Sequence, residues 1–323
     1  MVKAVMIKDM DLVYAIYQYG SFSKAADELF ISQSSLSMSI QKIENEIGVP
    51  LFDRRQHPIK LTQAGSELIR FYLNVKPLQT DMFARIQDLS ELRSGSLSIG
   101  GTHYLISYVL PQTIISFSNQ YPNLALNLIE SSSNRFNDML LNCDIDLCLK
   151  CDLDSPKLQS IGHAFFDKLY LAVPVEQIKT LNLADNALSR EQIAKGEYKP
   201  FEHYFQIEDF SKMTFLQLSP GNNLFKRSED IFKHFNIYPN KVISLNQFVT
   251  AYNLAGHGLG CTLASSRLIT QNTQENLAYY ELPTPLTVRD FHFIMRKDAY
   301  ISKGVQTFVA LFAKVGSNEF RQK

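Results

Sequence analysis

The sequence is short of cysteine, of surplus charge of either sign, and of long apolar runs. Only four cysteines occur among 323 residues, and 32 basic side chains are matched by 32 acidic ones. No stretch approaches the ~18 uninterrupted apolar residues that a membrane span needs, so no transmembrane helix is expected. The opening MVKAVMIKDMDL carries charges throughout and lacks the apolar centre of a secretory signal. These absences together predict a cytoplasmic protein with no membrane partner. Cys148 and Cys151 spell CxxC, but they lie in DIDLCLKC, which reads as a strand. Residues three apart on a strand face opposite sides, and no second ligand pair is near, so core thiols are expected and no metal or cofactor. GxSxG, GxxxxGK[ST] and HExxH are also missing, and neither Gly100-Gly101 nor Gly258-Leu259-Gly260 completes GxGxxG. The catalytic signatures with a known mechanism are therefore absent, and an enzyme is not expected.

The apolar content of 45% with 20% charged residues is that of an ordinary globular chain, long enough for two or three domains. Phe22 to Ile43 is its most informative stretch. Ala26, Leu29 and Ile31 have the spacing of one helix and the turn leaving it, and Leu36, Ile40 and Ile43 recur at the period of a second. Ser32 is placed to cap the second helix, which runs from Gln33 to Ile47 and stops at Gly48. An earlier helix, Lys8 to Tyr19, ends at Gly20, and Ser23 can cap the next, Lys24 to Phe30. Two short helices across a tight turn match the helix-turn-helix plan for reading a DNA major groove. Its reading face comprises Ser23, Lys24, Ser32, Gln33, Ser34, Ser35, Ser37, Met38 and Lys42. Ser and Gln can bond base edges, and Lys42 can meet a phosphate. Residues 1–61 carry seven charges of each sign, so local clustering must supply the attraction to DNA. VPLFDRRQHPIKLT, with two prolines against helix, reads as a hairpin wing whose tip holds Arg54, Arg55, His57 and Lys60.

The run GSFSKAADELFISQSSLSMSIQKIENEIGVPLFDRRQHPIKLTQAGSEL resembles the winged helix-turn-helix of LysR-type transcriptional regulators. Those carry a GSFxxAAxxLxxSQxxLSxxIxxLExxLGxxLFxRxxxxxxLTxAG pattern, and the match covers roughly residues 10 to 70. Many members have Pro where Ser34 stands and Arg where Met38 stands, so a common phosphate or guanine contact is absent from this recognition helix. Phosphate anchoring is then expected from Arg54, Arg55 and Lys60.

Thr62 can cap a long helix reaching about Arg93. Leu68, Val75, Met82 and Leu89 repeat every seven residues, with Phe71, Leu78 and Leu92 at the second heptad position, a seam that pairs with another helix. Arg85 interrupts the seam, and Pro77 predicts a kink near residues 73–77. In the family this helix joins the domains and dimerises with its twin, and the oligomer is a dimer or a dimer of dimers.

After the Ser94-Gly95 break the pattern becomes strands alternating with helices: strand 96–101, helix 108–120, strand 124–130, helix 134–142 and strand 144–150. A second series starts at 168–174 and passes through TFLQLS, helix 222–235, KVISL, helix 246–257 and GLGCTLA. The chain returns through AYYELP and FHFIMRK to a last helix, 302–315. Such alternation predicts parallel sheets with right-handed crossovers and a ligand cleft at the strands' carboxyl ends. The expected fold is thus α/β with an α-rich N-terminal domain: a winged helix-turn-helix (1–61), a linker helix (62–93) and a two-lobed effector domain (94–323) resembling periplasmic binding proteins. Lobe one would comprise 94–166 and 270–323, and lobe two 167–269. Residues 175–213 are irregular and suggest no role.

Thr102, His103, Ser133, Gly221, Asn222, Asn223, Asn246, Gln247 and Thr262 follow strands or open helices, where the family places effector contacts. Hydroxyls, amides and free helix amides suit a small carboxylate or other anion. No arginine can be assigned to the cleft from sequence. The expected function is regulation of transcription: operator DNA binding under control of a small-molecule effector, with contact to RNA polymerase. The alternative is a small-molecule-binding protein or enzyme built on the two lobes, with the N-terminal domain serving assembly.

Overall fold

The computed structural model describes residues 7–56, 58–89, 95–181, 187–196 and 207–319. His57, Leu92 and the Ser94 side of the helix break lie outside the described residues. The chain divides into two compact units, residues 1–83 and 84–323.

Unit one contains α1 (Ile7–Tyr19), α2 (Phe22–Glu28), α3 (Gln33–Ile47), the two-residue strands β1 (Phe52–Asp53) and β2 (Lys60–Leu61), and most of α4 (Gln63–Asp88). Val13 and Ile16 of α1, Ala25 and Ala26 of α2, and Leu36, Ile40 and Ile43 of α3 meet in one core, closed by Leu51, Phe52, Ile69 and Tyr72. The large apolar side chains contribute roughly 1.5–3 kcal/mol each on full burial. Ser32 Oγ accepts from Ser35 N at 3.1 Å and so caps α3, and Gly48 ends that helix at φ +86°. The cap of α2 is Ser21 rather than Ser23, because the helix opens at Phe22, whose ring is in the core. The turn between α2 and α3 is closed by Ile31 N donating to Ala26 O at 3.0 Å, with Phe30 in the left-handed region at φ +54°. β1 and β2 pair antiparallel, Phe52 opposite Leu61. Thr62 ties this wing to α4: its Oγ1 donates to Pro50 O at 2.7 Å and accepts from Gly65 N at 3.1 Å. α4 continues past Pro77, which has no amide to donate to the Leu73 carbonyl.

Unit two has two lobes. In lobe one, β3 (Ser96–Gly101) lies parallel between β4 (Ala125–Glu130) and β5 (Leu147–Lys150). β11 (Val288–Arg296) follows antiparallel to β5, and residues 158–168 of β6 (Leu158–Pro174) run antiparallel to β11. Beyond Lys168 the same strand enters lobe two, where it lies between β9 (Thr262–Ser265) and β10 (Leu277–Glu281), antiparallel to both. β7 (Thr214–Leu218) pairs parallel with β8 (Lys241–Leu245) and meets the start of β9 through Leu216 N to Cys261 O, 2.8 Å. The sheets are therefore mixed rather than parallel, because the strands that cross between lobes run against their neighbours. The return crossing also comes later than position 270. β10 is in register with the lobe-two half of β6, from Leu277 opposite Pro174 to Glu281 opposite Tyr170, so the chain recrosses at residues 282–287.

The helix expected at 108–120 is α6 (Pro111–Gln120), and a short helix with no counterpart in the expected pattern, α5 (His103–Tyr108), precedes it. Pro111, with no amide to donate, starts α6. α13 (Lys303–Glu319) packs on lobe one, Phe308 edge-on to Phe117 with centroids 5.4 Å apart. The buried Asp88 at the end of α4 accepts from Lys303 N and Tyr300 OH, both at 2.9 Å. Within the irregular 175–213 segment, Ser189 and Gln192 form a capping box on α9 (Arg190–Lys195), and Phe210 is fully buried. No described helix is long and apolar enough to cross a membrane.

Candidate nucleic-acid interface and ligand cleft

The amino ends of α2 and α3 come together in unit one, Ser23 Oγ donating to Gln33 Oε1 at 3.3 Å. Ser23, Lys24, Ser32, Gln33, Ser34, Ser35, Met38 and Lys42 are all exposed, and Ser37 is half-buried. Ser32 Oγ also contacts Ser34 Oγ at 3.0 Å and Ser35 Oγ at 2.8 Å. The start of α3 is thus a cluster of small hydroxyls beside the Gln33 amide, the chemistry of base-edge hydrogen bonding. Met38, 71% exposed, stands one turn further along.

The wing cations are not unengaged. Arg54 Nη2 is 3.0 Å from Glu44 Oε2, and its guanidinium lies 5.1 Å from the Phe22 ring centre. Glu44 Oε1 meanwhile accepts from Leu51 N at 2.7 Å, so one carboxylate holds both the root of the wing and its first arginine. Arg55, 91% exposed, grips Asp53 with Nε–Oδ1 3.0 Å and Nη2–Oδ2 3.3 Å. The hydrogen bonds from Arg55 hold the Asp53 carboxyl down at about 2. Lys60 is exposed on β2. Glu44 and Asp53 are the residues that sequence reasoning missed. Asp53, two positions before Arg55, was visible; Glu44 reaches Arg54 only because β1 folds back along α3.

On α4, Phe71, Leu78 and Met82 are exposed, Leu78 by 70%, and Val75 is half-buried; Leu89, just past the helix end, is exposed as well. Leu68 belongs in part to the unit-one core.

In unit two a cleft of about 570 Å³ opens between the lobes, and Thr102, His103, Ser133, Gly221, Asn222, Asn223, Asn246 and Gln247 all line it. Thr262 does not. Its hydroxyl is buried in lobe two and donates to Leu216 O at 2.8 Å, because β9 turns that side chain toward β7. Asn222 Oδ1 caps α10 (Asn223–His234) by accepting from Leu224 N at 3.0 Å. Ser133 of lobe one accepts from Asn223 N of lobe two at 3.1 Å. His103 Nδ1 is 3.3 Å from Glu130 Oε2 on the open side.

Two cations in the cleft escaped the sequence reading. Lys150, buried at the end of β5, donates to Asn137 Oδ1 at 2.8 Å and Asp154 Oδ1 at 2.9 Å. Arg289, whose side chain is 6% exposed, pairs with the buried Asp167. Asp167 also accepts from Tyr104 OH at 3.1 Å and Ser266 Oγ at 3.0 Å. The β6–β11 register sets Arg289 opposite Asp167, a pairing no local spacing announces. Cys151 lines the cleft as well, its Sγ 3.2 Å from Asn223 Oδ1. Burial, then the Asp152 charge, pushes its thiol up to about 11, so it is protonated at neutral pH. Cys148 is fully buried, and no disulfide joins any of the four cysteines. Among the described residues no group of three or more His, Cys, Asp or Glu could hold a metal ion.

A winged helix-turn-helix with a polar reading face, carried on one chain with a two-lobed α/β ligand cleft, defines a ligand-responsive DNA-binding regulator. Residues 7–66 match the family model of the bacterial regulatory helix-turn-helix protein, lysR family, and residues 90–185 and 199–317 match the LysR substrate binding domain. The chain belongs to the LysR family of transcriptional regulators. It is a DNA-binding transcriptional regulator with an effector-binding domain. A probable RuBisCO transcriptional regulator of Cyanidioschyzon merolae is 27% identical over 308 residues, covering 94% of this chain and 95% of that protein. Among solved structures, full-length CbnR complexed with its target DNA aligns at TM-score 0.57 and 17% identity over 96% of this chain and 99% of that one. The BenM effector binding domain with benzoate aligns at TM-score 0.53 and 18% identity, covering 70% of this chain and 93% of that one.

Proposed function

We propose that a small-molecule effector in the cleft of unit two controls how two copies of unit one engage an operator. The cleft carries the proposal: eight polar or glycine positions from both lobes line one cavity of a size suited to a small ligand. Ser23, Lys24, Ser32 to Ser35, Ser37, Met38 and Lys42 form the DNA-facing surface, and Arg54, Arg55 and Lys60 meet phosphate. The apolar seam of Leu68, Phe71, Val75, Leu78 and Met82 on α4, with Leu89 just beyond it, pairs with a second copy, and the linker thereby sets two reading helices on a two-fold operator. The homodimer then associates into a dimer of dimers. Effector binding shifts the population of lobe arrangements, and the changed placement of the DNA-binding domains alters DNA bend and contact with RNA polymerase. The chain acts in the cytoplasm and by binding, without catalysis. A gel shift with DNA upstream of its own gene tests this. Salt-sensitive, sequence-selective retardation is expected; no selective binding at low salt, with or without ligands, would sink the proposal.

A further inference from the structure

Leu36, Ile40 and Ile43 of α3 are buried and Ile47 packs against the same core, whereas Met38 on that helix takes no part in it and is 71% exposed. At about 100° per residue Met38 lies roughly 160° round the helix from both Leu36 and Ile40, so it stands at the crest of the outward face. Its neighbours on that face are polar and exposed: Ser34 and Ser35 one turn back, Gln41 and Lys42 one turn on.

The hydroxyls around Met38 are engaged locally. Ser32 Oγ lies 3.0 Å from Ser34 Oγ and 2.8 Å from Ser35 Oγ, and Ser39 Oγ donates to Ser35 O at 3.0 Å. The thioether thus projects from a collar of polar groups that already have partners. It has no hydrogen to donate and is only a weak acceptor. Set against guanine O6 and N7, adenine N6 or cytosine N4, it would displace water from those groups and pair with none, which costs free energy. Thymine alone among the four bases offers the major groove an apolar group, its C5 methyl. Burying that methyl against Met38 is favourable, and the unbranched side chain has the rotatable bonds to settle on it.

We propose that Met38 is a specificity-determining residue that reads the C5 methyl of one thymine in each operator half-site. The inference deepens the DNA-facing assignment of α3 and rests on it. A T·A pair is favoured there by packing instead of by hydrogen bonds. Lys42 and the wing cations meet phosphate whatever the base, so they do not share this selectivity.

Deoxyuridine, which is thymidine without the methyl, provides the test. Fluorescence anisotropy follows the full chain on a labelled duplex from upstream of its own gene, with each thymine replaced in turn. The natural chain is expected to lose about fourfold in affinity, the worth of one buried methyl, at one thymine per half-site. Met38→Ala, too short to reach the methyl, should bind the unsubstituted duplex more weakly by a similar factor and melt as the natural chain does. Deoxyuridine at that thymine should cost the variant nothing further, while its response at every other thymine stays unchanged. Met38→Arg should turn the preference at the same pair to G·C. Unaltered affinity in Met38→Ala, or a deoxyuridine response that is the same in chain and variant at every thymine, would overturn the inference while leaving DNA binding in place. Absence of selective, salt-sensitive binding by the natural chain would instead remove the DNA-facing assignment, and the thymine contact with it.

Discussion

Replacing Glu44 by glutamine should strengthen operator binding. Glu44 makes two contacts, one with Leu51 N at 2.7 Å and one with Arg54 at 3.0 Å. Glutamine keeps an acceptor for the amide and gives up the charge, whereas alanine would lose both and loosen the wing at a cost of about 1.5–3 kcal/mol. Arg54 is 49% exposed, so its pair with Glu44 is worth about 0.2–1 kcal/mol. DNA binding by the natural chain must exchange that carboxylate for a phosphate. Removing the competitor should raise affinity about 1.5–5-fold at 50 mM salt. Log affinity should then fall more steeply with log salt, by up to about 0.9 for the one added full phosphate contact. Fluorescence anisotropy on a labelled upstream duplex between 50 and 200 mM salt reads both quantities. Weaker binding by Glu44→Gln with unchanged melting would refute the reasoning and make Glu44 a positioning residue that aims Arg54 at DNA. Asp53→Asn extends the test to Arg55. Because the folded Asp53 carboxyl titrates at about 2, below its unfolded value, its pairing is present above about pH 4 and is lost as pH falls toward 2. Acidifying to pH 5 should therefore not release Arg55.

Charging Val75 and Met82 together with glutamate should give monomers in light scattering and at least tenfold weaker operator binding; an intact dimer would place the interface elsewhere. Leu36→Ala, at a fully buried position of α3, should cost about 2–5 kcal/mol and lower the melting of unit one, leaving ligand-induced shifts of unit two in place. Cys151, held protonated by burial, should alkylate slowly at pH 7.5, and peroxide should not change operator binding; rapid labelling would contradict the assigned thiol state.

Order along the chain sufficed for the N-terminal half because its determinants are local. The 3.6-residue recurrence of Leu36, Ile40 and Ile43, the cap at Ser32 and the stop at Gly48 all act within a few residues, and the helices follow them. The loops between strand and helix likewise announced Thr102, Ser133, Asn222, Asn246 and Gln247, since residues at such junctions face the same sheet edge. Thr262 escaped the rule because it lies inside a strand, where the pleat rather than the loop sets its direction.

What tertiary structure alone decided is the pairing of groups remote in sequence. Arg289 reaches the cleft by the register of β11 on β6, opposite a residue 122 positions away. β6 serves both lobes because its two halves find different partners, which makes the sheets mixed and delays the return crossing. Periodicity reports which face of an element is apolar, and it carries no information on which strand lies alongside. Charge behaved similarly in unit one: composition showed seven charges of each sign in residues 1–61, and only the folded hairpin revealed that Glu44 and Asp53 hold the wing arginines.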